Sequence, residues 1–330
     1  MSKLYSILIL SVIASVNTAF AQTKPAPKKA IKIGVLQSFP HPDLDADSKG
    51  FEKAMAESGW KEGAHVVYLR QNAKGSGAEA EKIAQRFVDD NVDLIHSISS
   101  LASRAAVKKT DRLPIVFSSV TNPMDERIVP NKSLPGRRSG TNVPGVTDRW
   151  PVRQELEMYA AFFPKAKRWG TLFNRTDSRS LLHIREMRET ARRLGLELLE
   201  ETVSGEAEIL PTVRSLSGKV QVINITFDSM VLSSFDEIVK VCNEKKIPLF
   251  VGDLDRVAGG AVAAYGSNHC EVGYSAGKKA SGILKGEPPG EIPWGPVDKL
   301  SLVVNEKAAR QQGVIIPPEF LKKADRVIRE

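Results

Sequence analysis

At 330 residues, with 42% apolar and 26% charged side chains, the chain has the composition of a globular protein rather than a disordered or fibrous one. Its formal net charge of +8 comes from basic pairs (Arg137-Arg138, Arg192-Arg193, Lys245-Lys246, Lys278-Lys279, Lys322-Lys323) dispersed among acids, and that dispersal argues against nucleic acid as a partner, which calls for one basic stripe. Two cysteines, Cys242 and Cys270, exclude a disulfide framework.

The chain opens with Lys3, an apolar run over residues 4–16, and the small-x-small motif Ala19-Phe20-Ala21. This pattern predicts a secretory signal peptide over residues 1–21, cleaved after Ala21, and a periplasmic destination. The run is shorter than the ~20 residues a spanning helix needs. Gln22 would become the N-terminus, so no lipid-modifiable cysteine stands at the cut. Residues 22–30 then form a short solvated leader. The remaining residues, about 300 in all, predict two domains at ~100–200 residues each.

Past the leader, apolar β-rich runs recur at residues 31–36, 65–69, 92–97 and 115–118, and again at 168–173, 197–201, 220–225, 248–251, 261–265 and 300–304. Between them lie helical spacings: Phe51/Ala54/Met55, Ala80/Ile83/Ala84/Phe87, Leu181/Ile184/Met187/Ala191/Leu194 and Phe235/Ile238/Val239/Cys242. Gly59 and Gly195 stand where C-terminal caps belong. Short buried strands alternating with amphipathic helices predict parallel α/β sheets. Cys242 reads as a core residue of its helix and Cys270 as the start of another, so two free thiols are expected.

The stretch QSFPHPDLDADSKGF follows the first strand. Asp43, Asp45 and Asp47 imitate a calcium loop, but an EF-hand counted from Asp43 needs Gly and a carboxylate where Ser48 and Ala54 stand. A helix start accounts for them better: Pro42 pre-sets the backbone, and acids in a first turn complement the helix dipole. The glycines of Gly75-Ser76-Gly77 follow the second strand rather than the first and are set off from it by Gln71–Lys74. They read as a loop, not as a dinucleotide fingerprint. No Walker A sequence, G-x-S-x-G elbow or H-E-x-x-H motif occurs, and the five histidines show no ligand spacing. No catalytic residue, metal or cofactor is therefore assigned. The alternation breaks over residues 131–151, rich in Pro, Gly and basic residues, which makes 143–150 the hinge candidate.

A set of polar residues stands just past the strand ends: Gln37 and His41; Ser99 and Ser100; Ser119, Thr121 and Asn122; Asn174 and Asp177; Asp228 and Ser229; Asp253 and Asp255. In open parallel sheets ligands bind beyond the carboxyl ends of the strands, so the recurrence in both halves predicts one cleft between two facing sheets. The competing role for each residue is capping the following helix.

At these residues the chain resembles the ABC-transporter substrate-binding proteins related to the tryptophan- and tyrosine-binding components. The matching stretches are Gln37…His41-Pro42-x-Leu44-Asp45, Pro114-Ile115-Val116-Phe117-x-x-Val120-Thr121-Asn122-Pro123, Gly145-Val146-Thr147-Asp148, the strand end Phe173-Asn174, Asp228, Asp253-x-Asp255 and the tail VNEKAARQQGVIIPPEFLKKADRVI. The resemblance implies an α/β type I periplasmic-binding-protein fold with two parallel-sheet, Rossmann-like lobes joined by a three-segment hinge. The first lobe would comprise 31–148 and about 266–290, the second 149–265 and about 291–330. It further implies a monomeric periplasmic receptor that hands an amino acid or similar small zwitterion to the permease of an ABC importer, with no enzymatic activity. A periplasmic ligand sensor docking on a signalling receptor is the alternative.

Within that frame Ser99, Ser100 and Thr121, with nearby helix amides, suit a carboxylate. Asp228 and Asp253 suit an ammonium group, and Phe39, His41 and Phe227 would wall the side-chain pocket. Gln37, Asn122 and Asn174 complete the expected site. The chain departs from the pattern at Asn122 (commonly Asp), Leu101 (commonly Pro), Gly252 (commonly Ser) and Arg179, which belongs either to the outer face of its helix or to the cleft.

Overall fold

The computed structural model describes residues 30–330, apart from Phe227 and the side chains of Ser178 and Arg179. The expected signal peptide and all of the leader but Ala30 lie outside the described residues, as do the roles given to Phe227 and to the Arg179 side chain. The run IKIGVLQ forms β1 (Ile31–Gln37), and Pro42 opens α1 (Pro42–Glu57) with His41 as its cap. Then follow β2 (Val66–Asn72), α2 (Gly77–Asp89), β3 (Leu94–Ile98), α3 (Ser100–Lys109), β4 (Ile115–Ser118) and the two-residue β5 (Arg137–Arg138). β1 to β4 pair in parallel in the order β2-β1-β3-β4. Every residue of β3 and β4 is buried, as strands covered on both faces require. In the Gly75–Gly77 stretch Ser76 caps α2 by accepting from Glu79 N, 3.3 Å.

The second lobe takes α4 (Val152–Phe162), β6 (Arg168–Asn174), α5 (Ser178–Leu194), β7 (Glu197–Val203), α6 (Glu206–Ser217), β8 (Val222–Ile225), α7 (Ser229–Ser233), α8 (Phe235–Lys245), β9 (Leu249–Val251) and β10 (Ala263–Gly266). The chain then returns to the first lobe as α9 (His269–Leu284) and β11 (Pro293–Trp294), which pairs with β5. It ends in the second lobe with β12 (Ser301–Asn305), α10 (Glu306–Gln311), α11 (Pro318–Lys323) and β13 (Arg326–Ile328). The second sheet has the order β13-β12-β10-β9-β8-β6-β7. Each sheet is packed on both faces, the first by α1 and α9 on one side and α2 and α3 on the other, the second by two further apolar clusters.

The chain therefore crosses between lobes three times: between Val146 and Val152, between Gly266 and His269, and between Val297 and Ser301. Glycines weld α9 to α1. A methyl group added at Gly50 would overlap the Cys270 carbonyl, and one at Gly273 or Gly277 would overlap the backbone of Asp47 or Phe51. Only a missing Cβ permits that approach, and it fixes the second crossover onto the first lobe.

Three expectations change. The second sheet is mixed, because β12 runs antiparallel to β10: β10 leads out to a crossover and β12 comes back from one. An extra edge strand, β13, pairs parallel with β12. The first lobe also extends past the expected limit near 290. Trp294 is 1% exposed, with its ring centroid 6.4 Å from that of Phe117, and Val297 packs in the same lobe. Burying an indole of that size is worth on the order of 3 kcal/mol, which anchors the third crossover. Cys242 is buried and Cys270 half-buried, and both are free thiols. Burial pushes the Cys242 thiol up to about 12.

Candidate functional site

A cavity of about 310 Å3 lies where the lobes face each other. The first lobe contributes Phe39, His41, Asp43, Ser99, Ser119, Thr121 and His269; the second contributes His183 and Ser229; the crossovers contribute Asp148, Ser267, Asn268 and Trp150, whose ring packs on the second lobe. Three helix starts meet there. His41 caps α1, Ser99 precedes α3, and Asn268 caps α9 in a reciprocal box with Glu271. Aligned peptide dipoles make such ends attractive to an anionic group.

Two of the lining serines are strained. Ser99 has φ 78 and ψ 162, and Ser119 has φ 50. Conformations of this kind cost of order 1–3 kcal/mol each and persist where the surrounding structure enforces them. The backbone N–H of Ser99 donates to Ser118 O at 2.9 Å, and Ser103 Oγ donates to Ser99 O at 3.0 Å. Ser99 itself makes no side-chain cap bond.

Behind Ser119 lies a buried polar chain. Asp47, fully buried, accepts from Ser118 Oγ at 2.8 Å and from Ser119 Oγ at 2.5 Å. A carboxylate only accepts, and each hydroxyl has one proton to give. The contact between Ser119 Oγ and His269 Nδ1, 2.9 Å, must then run from Nδ1–H to the hydroxyl. By the same logic His96 Nε2 donates to Ser118 Oγ at 2.8 Å, and its ring stacks on Phe51 with centroids 3.9 Å apart. His269 is thereby left with Nε2 directed toward Asp43 Oδ2, 3.8 Å away. Thr121 Oγ1 donates to Asp148 Oδ1 at 2.8 Å, which places a second carboxylate on the cavity wall.

In the second lobe the Trp150 indole N–H donates to Glu155 Oε1. Glu155 is fully buried, its Oε2 makes no hydrogen bond, and burial pushes its carboxyl well above the ordinary range against the bond from Trp150.

Of the residues expected from the sequence, Phe39, His41, Ser99 and Thr121 line this cavity. Gln37 instead shapes the loop, donating from Nε2 to Phe39 O at 3.0 Å and Asp45 Oδ1 at 2.9 Å. Ser100 is the first residue of α3 and does not line the cavity. Asn122 pairs with Asp125 and borders a neighbouring cavity. Asn174 Oδ1 accepts from Thr176 N and Oγ1. Asp253 caps the turn Leu254–Val257 through a bond from Asp255 N, and burial raises its carboxyl above the ordinary aspartate value.

Asp228 departs furthest from its expected place at the cleft mouth. It is 1% exposed and accepts from Asn174 N at 2.7 Å, Ser180 Oγ at 2.6 Å and Val231 N at 3.1 Å. Those donors draw the carboxylate inward, and Asp43 and Asp148 are the acids that line the cavity.

Sequence reasoning left Asp43, Ser119, Asp148, Trp150, His183, Ser229 and His269 out of the site. Ser119 and Ser229 were visible as polar residues at strand ends, and Asp148 closes the Gly145–Asp148 motif. Trp150, at the end of the hinge candidate, could have been found as an aromatic in a Pro/Gly-rich crossover. His183 and His269 carry no local signal, since helices bring them in from elsewhere in the chain.

Residues 32–328 match the family model described as ABC transporter substrate binding protein. A tyrosine-binding protein of Clostridioides difficile is 33% identical over 290 residues, covering 88% of this chain and 83% of the relative. The ligand-free, open structure of CD0873, a substrate-binding protein with adhesive properties from Clostridium difficile, superposes with a TM-score of 0.80 at 32% identity, covering 91% of this chain and all of that one. A Streptococcus pneumoniae ABC domain in complex with L-Trp superposes at 0.68 with 29% identity, over the same shares of the two chains. With a type I periplasmic-binding-protein fold and a family match running from β1 to β13, the chain belongs to the ABC transporter substrate-binding protein family.

Proposed function

We propose that this chain is an exported receptor that captures an L-amino acid, or a zwitterion of similar size, between its lobes and delivers it to an ABC importer. The observation that carries this reading is the composition of the cavity. Helix N-termini and the hydroxyl of Ser99 gather on one wall, and the carboxylates of Asp43 and Asp148 stand near them. A zwitterion needs both kinds of group close together, an anion site for its carboxylate and acceptors for its ammonium. Ligands reported for relatives, tyrosine by name and L-Trp in a complex, support the same class.

The receptor binds without chemistry. Three crossovers permit a hinge closure that would bring Trp150, His183 and Ser229 against a ligand held by the first lobe. The signal pattern at Ala19–Ala21 supports export to the periplasm, where the closed monomer would meet the permease. Mass spectrometry of small molecules released from freshly purified, denatured protein tests the reading directly. An amino acid recovered in near-stoichiometric amount, and then bound in calorimetry by the emptied protein, is the expected result. Recovery of a sugar or a metal chelate, with no heat from any amino acid, would overturn it.

A further inference from the structure

The Trp150 indole occupies space that two glycines leave free. A Cβ on Gly252 would lie 2.6 Å from Cε2 and 2.9 Å from Cζ2 of Trp150, and one on Gly266 would lie 3.3 Å from Cζ2. Gly252 follows β9 and Gly266 ends β10, so the ring lies against the backbone at the ends of two neighbouring strands. Its N–H is held by Glu155 on the first helix after the crossover. The same indole lines the cavity. The ring is thus fixed on one side by backbone, fixed at its nitrogen by a buried carboxyl, and presented to the cavity opposite the polar first-lobe wall.

We propose that Trp150 is the specificity-determining residue of the cavity, a platform on which a planar ligand side chain stacks, and that Glu155 is a positioning residue that holds this platform in place. This deepens, and rests on, the reading of the cavity as an amino-acid site. The first lobe recognises what all amino acids share, while the indole selects among side chains, because an aromatic pair in offset or edge contact gains beyond the area it buries. An aliphatic side chain against the same ring gains only the burial. Gly252 belongs to the device, since any side chain there displaces the indole from the strand ends.

The test is calorimetry on the full mature chain with L-tyrosine and L-tryptophan against L-leucine and L-isoleucine, read as the ratio of aromatic to aliphatic affinity. Trp150→Ala should lower that ratio about two- to thirteenfold, the range of an aromatic pair contribution. Gly252→Ser should lower it in the same direction with the tryptophan retained. Glu155→Leu, which removes the acceptor, should lower it too, and Glu155→Gln, which keeps an acceptor oxygen, should restore it. Rescue by Gln separates positioning from bulk structural damage. Should Trp150→Ala not fold, Gly252→Ser and the Glu155 pair decide. A ratio unchanged in the folded variants overturns the proposal. A wild type that binds only aliphatic or polar amino acids overturns it while leaving the receptor reading intact, and a wild type that binds no amino acid overturns both.

Discussion

Ser99 in the first lobe and Asp228 in the second both stand just past a buried parallel strand, and both open a helix. They put their polar groups to opposite uses. Ser99 makes no cap bond, sits at φ 78 and lines the cavity. Asp228 has relaxed extended backbone, caps its helix, and takes two further donors from α5 and the end of β6. Polar residues at the carboxyl ends of strands are therefore two populations. One is consumed by the fold, as Asp228, Asp253 and Asn174 are. The other is left to the cavity at a cost in backbone strain, as Ser99 is. Hydrogen-bond accounting separates them where position along the chain cannot.

The largest effect should come from the consumed population. Asp228→Ala removes an N-cap, leaves the donor at Asn174 N short of an acceptor, and leaves Ser180 Oγ with only its 3.2 Å bond to Asp177 Oδ2. Cap loss and the stranded backbone donor together should cost about 2–5 kcal/mol of stability, read in urea unfolding. A variant that unfolds like wild type yet binds no ligand would erase the contrast and return Asp228 to the cleft. In the first lobe, Asp47→Asn replaces one acceptor oxygen by an amide nitrogen facing a serine hydroxyl. That change should cost about 1–3 kcal/mol. It should also weaken ligand binding, because Ser119 and His269 are held through Asp47. Equal affinity in the two proteins by calorimetry would show that the buried chain is only scaffolding.

Ser99→Gly sharpens the comparison with a smaller change of opposite sign. Glycine adopts φ 78 without penalty, so relief of strain less the added unfolded-state entropy should stabilise the protein by about 1 kcal/mol. Ligand affinity should fall with the lost hydroxyl. A stabilised variant of unchanged affinity would mean that the strain at Ser99 does not serve the site.

The same accounting explains what could be read from the sequence. Continuous apolar runs such as LIHSI and PIVFS mark strands buried on both faces, and Gly195, at φ 65, ends α5 as a left-handed glycine should. The edge strand β13 has no buried residue to announce it, and the direction of β12 depends on a crossover anchored by Trp294, which reads locally only as part of a Pro/Gly-rich stretch. In the site, Phe39, His41, Ser99 and Thr121 were legible because they adjoin strands that could be recognised. His269 and Trp150 were not, since their positions come from the glycine-welded α1–α9 pair and from the space over Gly252. The departure at Gly252, unexplained by sequence, has its cause in the indole that fills the place of a Cβ.

Asp47 and Glu155, both fully buried, are satisfied differently. Asp47 accepts two hydroxyls and lies 3.4 Å from His96 Nε2, whereas Glu155 has one indole N–H and an Oε2 with no hydrogen bond. Desolvation by burial, with a smaller contribution from the charge of Glu186, raises the folded-state pKa of Glu155 well above its ordinary value of 4.5. Below that ordinary value both folded and unfolded chains hold the proton, and Glu155 adds no pH dependence. As pH rises above it, the unfolded chain releases the proton while the folded chain keeps it, so stability falls with pH until the raised folded value is reached. Glutamine at 155 carries no such charge. Glu155→Gln should therefore match wild type in urea unfolding near pH 4 and exceed it near pH 8, with the gap widening between. Asp47→Asn should destabilise at both pH values, since its cost is a stranded hydroxyl rather than a buried charge. A Glu155→Gln variant less stable than wild type near pH 8 would mean that the carboxyl is satisfied as an anion, as those of Asp47 and Asp228 are.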